Sequence, residues 1–169
     1  MNIVLIGYRG TGKSTVGRRL AARLGRDCLS TDAEIVARAK RTIPEIVAQE
    51  GWEHFRDLES AVCRDFAGRD QLVIDTGGGA ILRPQNVEAF KKSGTVFWLT
   101  ASVETIAKRI GGDNQRPSLT GTKSFVEEIQ DVLREREPKY RAAADHIIAT
   151  DGRTIDQLVE ALFALLPRS

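Results

Sequence analysis

The chain has 169 residues, 41% of them hydrophobic and 28% charged, with a formal net charge of +2 at pH 7. That length predicts one domain with a sizeable core, spanning 1–169. The balanced charge and dispersed arginines argue against a nucleic-acid partner, and no apolar run approaches the ~20 residues that cross a bilayer. In chain order, Asn2-Ile3-Val4-Leu5-Ile6 reads as a buried strand and Thr15 to Leu24 as a helix. Cys28-Leu29-Ser30 reads as a short second strand and Asp32 to Lys40 as a helix. Thr42-Ile43-Pro44-Glu45 has the form of a capping box opening a longer helix, interrupted at Gly51 and resuming through Ala67. Leu72-Val73-Ile74-Asp75 is a third strand, Pro84 to Lys92 a helix, and Thr95 to Leu99 a fourth strand. Ser102 caps a helix through Ile110. Gly111 to Thr122 is polar and glycine-bearing, hence a loop. Ser124 to Ala144 is helical with a bend expected at Pro138, His146 to Ala149 a fifth strand, and Thr154 to Leu166 an amphipathic closing helix.

Alternating strands and helices with continuously apolar strands predict an α/β fold: a parallel five-stranded sheet covered by helices on both faces. Ligands then gather at the carboxyl ends of the strands. The first of these ends carries Gly7-Tyr8-Arg9-Gly10-Thr11-Gly12-Lys13-Ser14, a glycine-rich turn between strand and helix that has the form of a P-loop. Its glycines, Gly10 and Gly12 among them, let backbone N–H groups, including those around Thr11 and Thr15, approach phosphate oxygens. The helix N-terminus adds partial positive charge. Lys13 is suited to the β- and γ-phosphates of ATP and Ser14 to Mg²⁺.

Further candidates lie at the other strand ends. Asp32 follows the second strand, where a carboxylate can orient an acceptor hydroxyl and take its proton; it could equally cap the next helix. Gly77, Gly78 and Gly79 follow the third strand and leave backbone open to a ligand, or simply make a tight turn. Arg56 and Glu59 share a helix face. Arg56 and Arg136 could clamp an anionic group, although Arg136, among Arg134, Glu135 and Glu137, has the composition of a surface residue. Arg109 and Arg116 bracket the loop after the fourth strand. Asp75 stands where a P-loop protein often places an acid near its metal. Cys28 and Cys63 are expected to be buried thiols in a reducing compartment, not metal ligands. The N-terminal core strand is not expected to be a signal peptide, so the expected location is cytoplasmic.

The sequence resembles the shikimate kinases over essentially its whole length. The resemblance rests on the P-loop followed by Ser14-Thr15-Val16-Gly17, on Asp32, on Phe55-Arg56-x-x-Glu59, on Gly77-Gly78-Gly79, on Arg116-Pro117, and on Arg136-x-Pro138-x-Tyr140. It implies a three-layer P-loop kinase with a substrate-binding region over about 32–61 and a mobile lid over about 111–123. It implies that Asp32, Arg56, Gly77, Gly78, Gly79 and Arg136 hold shikimate. It also implies that Arg116 closes over the γ-phosphate, that Arg109 stacks on adenine, and that the segment around Arg153 meets the other side of that ring. A monomer using ATP and Mg²⁺ is expected. The sequence departs from the family in two places: Ser30 replaces a common metal-associated Asp, and Arg116-Pro117-Ser118-Leu119 replaces the usual Arg-Pro-Leu-Leu. Asp75, through a water, is the candidate to restore the missing charge. The rival readings are a kinase for gluconate or a nucleoside monophosphate, and a non-catalytic nucleotide-binding module.

Overall fold

The computed structural model describes residues 1–111 and 124–168. Five strands, β1 (Asn2–Ile6), β2 (Asp27–Ser30), β3 (Leu72–Asp75), β4 (Gly94–Thr100) and β5 (His146–Ala149), form one sheet in the order β2-β3-β1-β4-β5. Every neighbouring pair is parallel. The helices are α1 (Lys13–Leu24), α2 (Thr31–Ala39), α3 (Ile43–Ala67), α4 (Pro84–Ser93), α5 (Val103–Ile110), α6 (Phe125–Ala143) and α7 (Ile155–Leu165). The expected boundaries hold to within two residues, and the Thr42 capping box is formed. A 3₁₀ turn at Ala80–Leu82 was not foreseen. Gly51 breaks α3 with φ 84°, ψ 170°, whereas α6 runs through Pro138 as one helix.

The strand period of two divides the core. Val4, Ile6, Ile74, Val96 and Trp98 face one layer, where Phe55, Val62 and Phe66 of α3, Phe90 of α4 and Tyr140 of α6 bury against them. Ile3, Leu5, Val73, Phe97, Leu99 and Ile148 face the other, against Val16 and Leu20 of α1 and Leu158 and Leu162 of α7. A third cluster lies under the glycine-rich turn: Tyr8 packs among Ile106 and Ile110 of α5 and Ile129 and Val132 of α6. That turn is therefore seated on the helices that flank 112–123. The expected lid, with Arg116 and Ser118, falls outside the described residues. Among the described residues no helix is long and apolar enough to cross a membrane. Cys63 is buried and Cys28 half-buried. Burial raises both thiols, that of Cys28 to about 11, so neither is primed as a nucleophile.

Candidate active site

The carboxyl ends of β1, β2 and β3 open into a cleft of about 390 Å³, lined by Arg9, Lys13, Ser14, Asp32, Asp75 and Gly78 among others. Its phosphate side is the turn from β1 to α1. α2, α3, α5, α6 and α7 each open on a Ser or Thr side chain that accepts a backbone N–H. α1 opens on Gly12 with no side-chain cap and no acid in its first turn. Its N–H groups and dipole are thus left to an anion from outside the chain. Gly10 has φ +81°, and a Cβ there would come within 2.6 Å of Ile110 Cγ2, so only glycine lets the loop lie this close to α5. Lys13 is buried, its Nζ donating to the carbonyls of Gly7 (2.8 Å) and Tyr8 (3.0 Å).

Ser14 Oγ donates to Asp75 Oδ2 at 2.5 Å. The side-chain alternation explains this contact. Val73 packs on the α1 layer, so Asp75, two residues on, points to the same layer and meets the first turn of α1. Ser30 is the direct register partner of Asp75 on β2. Its hydroxyl accepts from Ala33 N at 3.2 Å and caps α2. The cap is therefore Ser30, and Asp32 sits inside the first turn of the helix rather than at its cap.

The opposite side of the cleft is built around the triple-glycine turn. Thr76 is anchored on Leu5 O through both its N–H (3.2 Å) and its hydroxyl (2.8 Å), and Gly77 N donates to Thr31 Oγ1 at 2.9 Å. A Cβ on Gly77 would stand 2.6 Å from Asp32 Oδ1 and 2.9 Å from Glu59 Oε2. One on Gly79 would stand 2.5 Å from Arg56 Cζ and Nη1 and closer still to Nη2. One on Gly78 would lie 3.6 Å from Arg136 Nη1. The turn is thus the point where two carboxylates and two guanidiniums converge, and the missing side chains of Gly77 and Gly79 are what admit Asp32, Glu59 and Arg56. Arg56 Nη1 donates to Glu59 Oε1 at 2.8 Å, with Glu59 only 1% exposed. Burial raises the Glu59 carboxyl above its ordinary value, and Arg56, Arg136 and Arg83 pull it back. Arg136 is buried at 8% exposure. Four residues on, Tyr140 donates its hydroxyl to Gly78 O, and burial pushes that phenol up to about 12.

The two remaining arginines of the expected nucleotide site stand apart from this convergence. Arg109 donates to Gly10 O (3.1 Å) and Thr150 Oγ1 (3.4 Å), which places it at the rim of the P-loop. Arg153 is exposed on the loop from β5 to α7. That loop is fastened by Asp151, whose carboxylate accepts from Ser102 N, Ser102 Oγ and Thr105 Oγ1 (3.0, 3.0 and 2.6 Å) at the start of α5. The Thr105 hydrogen bond, foremost, holds Asp151 below its usual range. Sequence reasoning did not find this fastening, nor the roles of Thr31 and Tyr140 in holding the glycine turn.

A glycine-rich turn of P-loop form, an uncapped helix, a buried lysine, and carboxylates and guanidiniums gathered across the same cleft are the arrangement of a P-loop phosphotransferase. The comparisons narrow that class. A family model described as shikimate kinase matches residues 9–167. A shikimate kinase of Nitratidesulfovibrio vulgaris is 46% identical over 167 residues, covering 97% of this chain and 94% of its own. A shikimate kinase from Acinetobacter baumannii, solved in complex with shikimate, superimposes with a TM-score of 0.93 at 38% identity, covering 97% of this chain and 91% of that one. The Aquifex aeolicus shikimate kinase gives a TM-score of 0.81 at 29% identity, with coverage of 97% and 94%. The chain belongs to the shikimate kinase family.

Proposed function

We propose that this chain transfers the γ-phosphate of ATP to the 3-hydroxyl of shikimate, a step of chorismate and aromatic amino-acid biosynthesis. The observation that carries this reading is the convergence on the triple-glycine turn: Asp32 and Glu59 at Gly77, Arg136 at Gly78 and Arg56 at Gly79. A polyhydroxylated acid asks for that combination, guanidiniums for its carboxylate and a carboxylate for its hydroxyls. A base-bearing monophosphate would ask for amide or aromatic groups around a planar ring, whereas the groups closest to Gly77 and Gly79 are carboxylates and a guanidinium.

In this reading the backbone from Gly10 to Thr15 cradles the phosphates. Lys13 leaves the Gly7 and Tyr8 carbonyls to neutralise the transferring group. Asp32 orients the acceptor hydroxyl and takes its proton, while Arg56, Arg136 and the N–H groups of the turn fix the ring. Glu59 holds Arg56 in place. Arg109 and Arg153 border adenine, and Arg116 completes the site from the lid. Ser14 Oγ and the Asp75 carboxylate are hard oxygen donors side by side, a set that fits a magnesium ion keeping several waters. Ser14 would bind it directly and Asp75 through a water; once bound, the ion neutralises charge on the β- and γ-phosphates. A cytoplasmic monomer is the accompanying proposal.

Purified protein offered ATP with shikimate, gluconate, CMP or AMP in turn tests the reading. Shikimate alone should give rapid ADP release. Faster turnover with another acceptor, or none with any, overturns it in favour of one of the two rivals.

A further inference from the structure

We propose that Arg9 is a second phosphoryl-binding cation, one that holds the transferred group on the acceptor side of the cleft; this rests on the kinase reading above. Arg9 and Gly7 are the P-loop residues nearest Gly78, where the two halves of the site meet. The backbone N of Arg9 lies 3.6 Å from the position of a Cβ on Gly78, so here the P-loop abuts the triple-glycine turn. Arg9 lines the cleft between Lys13 and Ser14 on one side and Asp32 and Gly78 on the other.

Three other arginines of the site are held by the protein. Arg56 is paired with Glu59, Arg109 is hydrogen-bonded to Gly10 and Thr150, and Arg136 interacts with Tyr140. Arg9 is half-buried, yet among the described residues its guanidinium meets neither a carboxylate nor a hydrogen-bond acceptor. A guanidinium is charged at every relevant pH and presents a fork matched to phosphate oxygens. As part of a residue that lines the cleft, and with no partner among the described residues, it is available to a ligand anion.

The reaction supplies that anion where Arg9 stands. The acceptor oxygen bonds to the γ-phosphorus as the bond to the β–γ bridging oxygen breaks. The electron pair stays with ADP, the hydroxyl proton passes to Asp32, and the phosphoryl oxygens move from the P-loop towards the glycine turn. Lys13 stands at the start of that path and Arg9 at the boundary it crosses.

The test is calorimetric titration of wild type, Arg9→Gln and Arg9→Lys with shikimate 3-phosphate, shikimate and ADP, with thermal melts alongside. Arg9 is outside any helix or strand and has no positive φ, so neither variant threatens the fold. Arg9→Gln should weaken shikimate 3-phosphate by about ten- to a hundredfold, the worth of one charge-assisted contact, and leave shikimate and ADP within about twofold. Arg9→Lys should fall between, because it keeps the charge and loses the fork. Unchanged product affinity in Arg9→Gln overturns the proposal. So does an equal loss for all three ligands, which makes Arg9 a prop of the P-loop. A wild type that ignores shikimate 3-phosphate overturns the acceptor reading and this one together, whereas binding by wild type and Arg9→Gln alike sinks only Arg9.

Discussion

Gly79→Ala adds one methyl group and tests whether the triple glycine exists to admit Arg56. Gly79 has φ −102° and ψ 8°, the region that the third residue of a type I turn occupies and that is open to alanine, so the added methyl's contacts rather than the backbone dominate the outcome. The added Cβ would stand 2.5 Å from Arg56 Cζ and Nη1, well inside van der Waals contact. The guanidinium must therefore move, and its 2.8 Å hydrogen bond to Glu59 moves with it. Glu59 is 1% exposed, so water replaces that donor poorly. A charge-assisted hydrogen bond contributes about 1.5–3 kcal/mol. If Arg56 binds the acceptor carboxylate, losing its position raises the KM for shikimate by about ten- to a hundredfold and leaves the KM for ATP within about twofold. Coupled ADP assays on Gly79→Ala, Arg56→Ala and the double variant measure this. Because both changes act through one guanidinium, the double variant should be no worse than Arg56→Ala alone. Additive effects, or an unchanged KM in Gly79→Ala, would refute the reasoning. Gly78→Ala is the matched control for stability, since its Cβ meets nothing closer than 3.6 Å and its melting temperature should stay near that of wild type.

Two further outcomes follow from the site. Lys13→Ala should abolish ADP release while retaining the helical circular dichroism spectrum, because the lysine donates to the P-loop carbonyls of Gly7 and Tyr8 rather than packing in the apolar core; near-normal turnover would remove it from the chemistry. Arg136→Ala should raise the KM for shikimate about tenfold or more with little change for ATP. Equal shifts for both substrates would mean that the variant merely loosens α6, where Arg136 lies above Tyr140 and the glycine turn.

Helix positions and the two-sided sheet were legible because the apolar periods are strong and the helix starts are written in Thr42, Ser102, Ser124 and Thr154, whereas the strand order and the cap of α2, Ser30 rather than Asp32, came from the structure. Local pattern does not carry what depends on depth. Arg136 sits among charged neighbours and reads as solvated, yet the spacing Ile129, Val132, Arg136, Tyr140, Ala143 is a helical stripe, and the structure buries all five. That period was available in the sequence and outweighs composition. Thr31, Tyr140 and Asp151 could not be assigned in advance, because each acts on a segment 46 to 62 residues away along the chain. The face taken by Asp75 needed Val73 as its reference. Alternation within a strand fixes relative faces, and only the packing of α1 fixes which is which.

Asp75 also carries the consequence of Ser30. These two residues face each other across one rung of the parallel sheet, where neighbouring strands lie about 4.8 Å apart. A carboxylate on either strand end can serve the same space before Ser14. Here the β2 position holds a serine whose hydroxyl is used to cap α2, and the acid is on β3, hydrogen-bonded to Ser14 at 2.5 Å. Asp75→Asn removes the charge and keeps an oxygen that can accept from Ser14, so the fold should survive and the magnesium requirement should change. The magnesium concentration for half-maximal activity should rise about tenfold, on the order of a kcal/mol for the charge that would hold a water of the ion. Ser30→Asp in that background returns a carboxylate one rung away and keeps a competent helix cap, so it should restore part of the affinity. Magnesium titrations that coincide for wild type and Asp75→Asn would show that the Ser14–Asp75 contact serves only to hold α1 against β3. A rescue by Ser30→Asp would show that the charge is needed in the space between the strands rather than on a particular one of them.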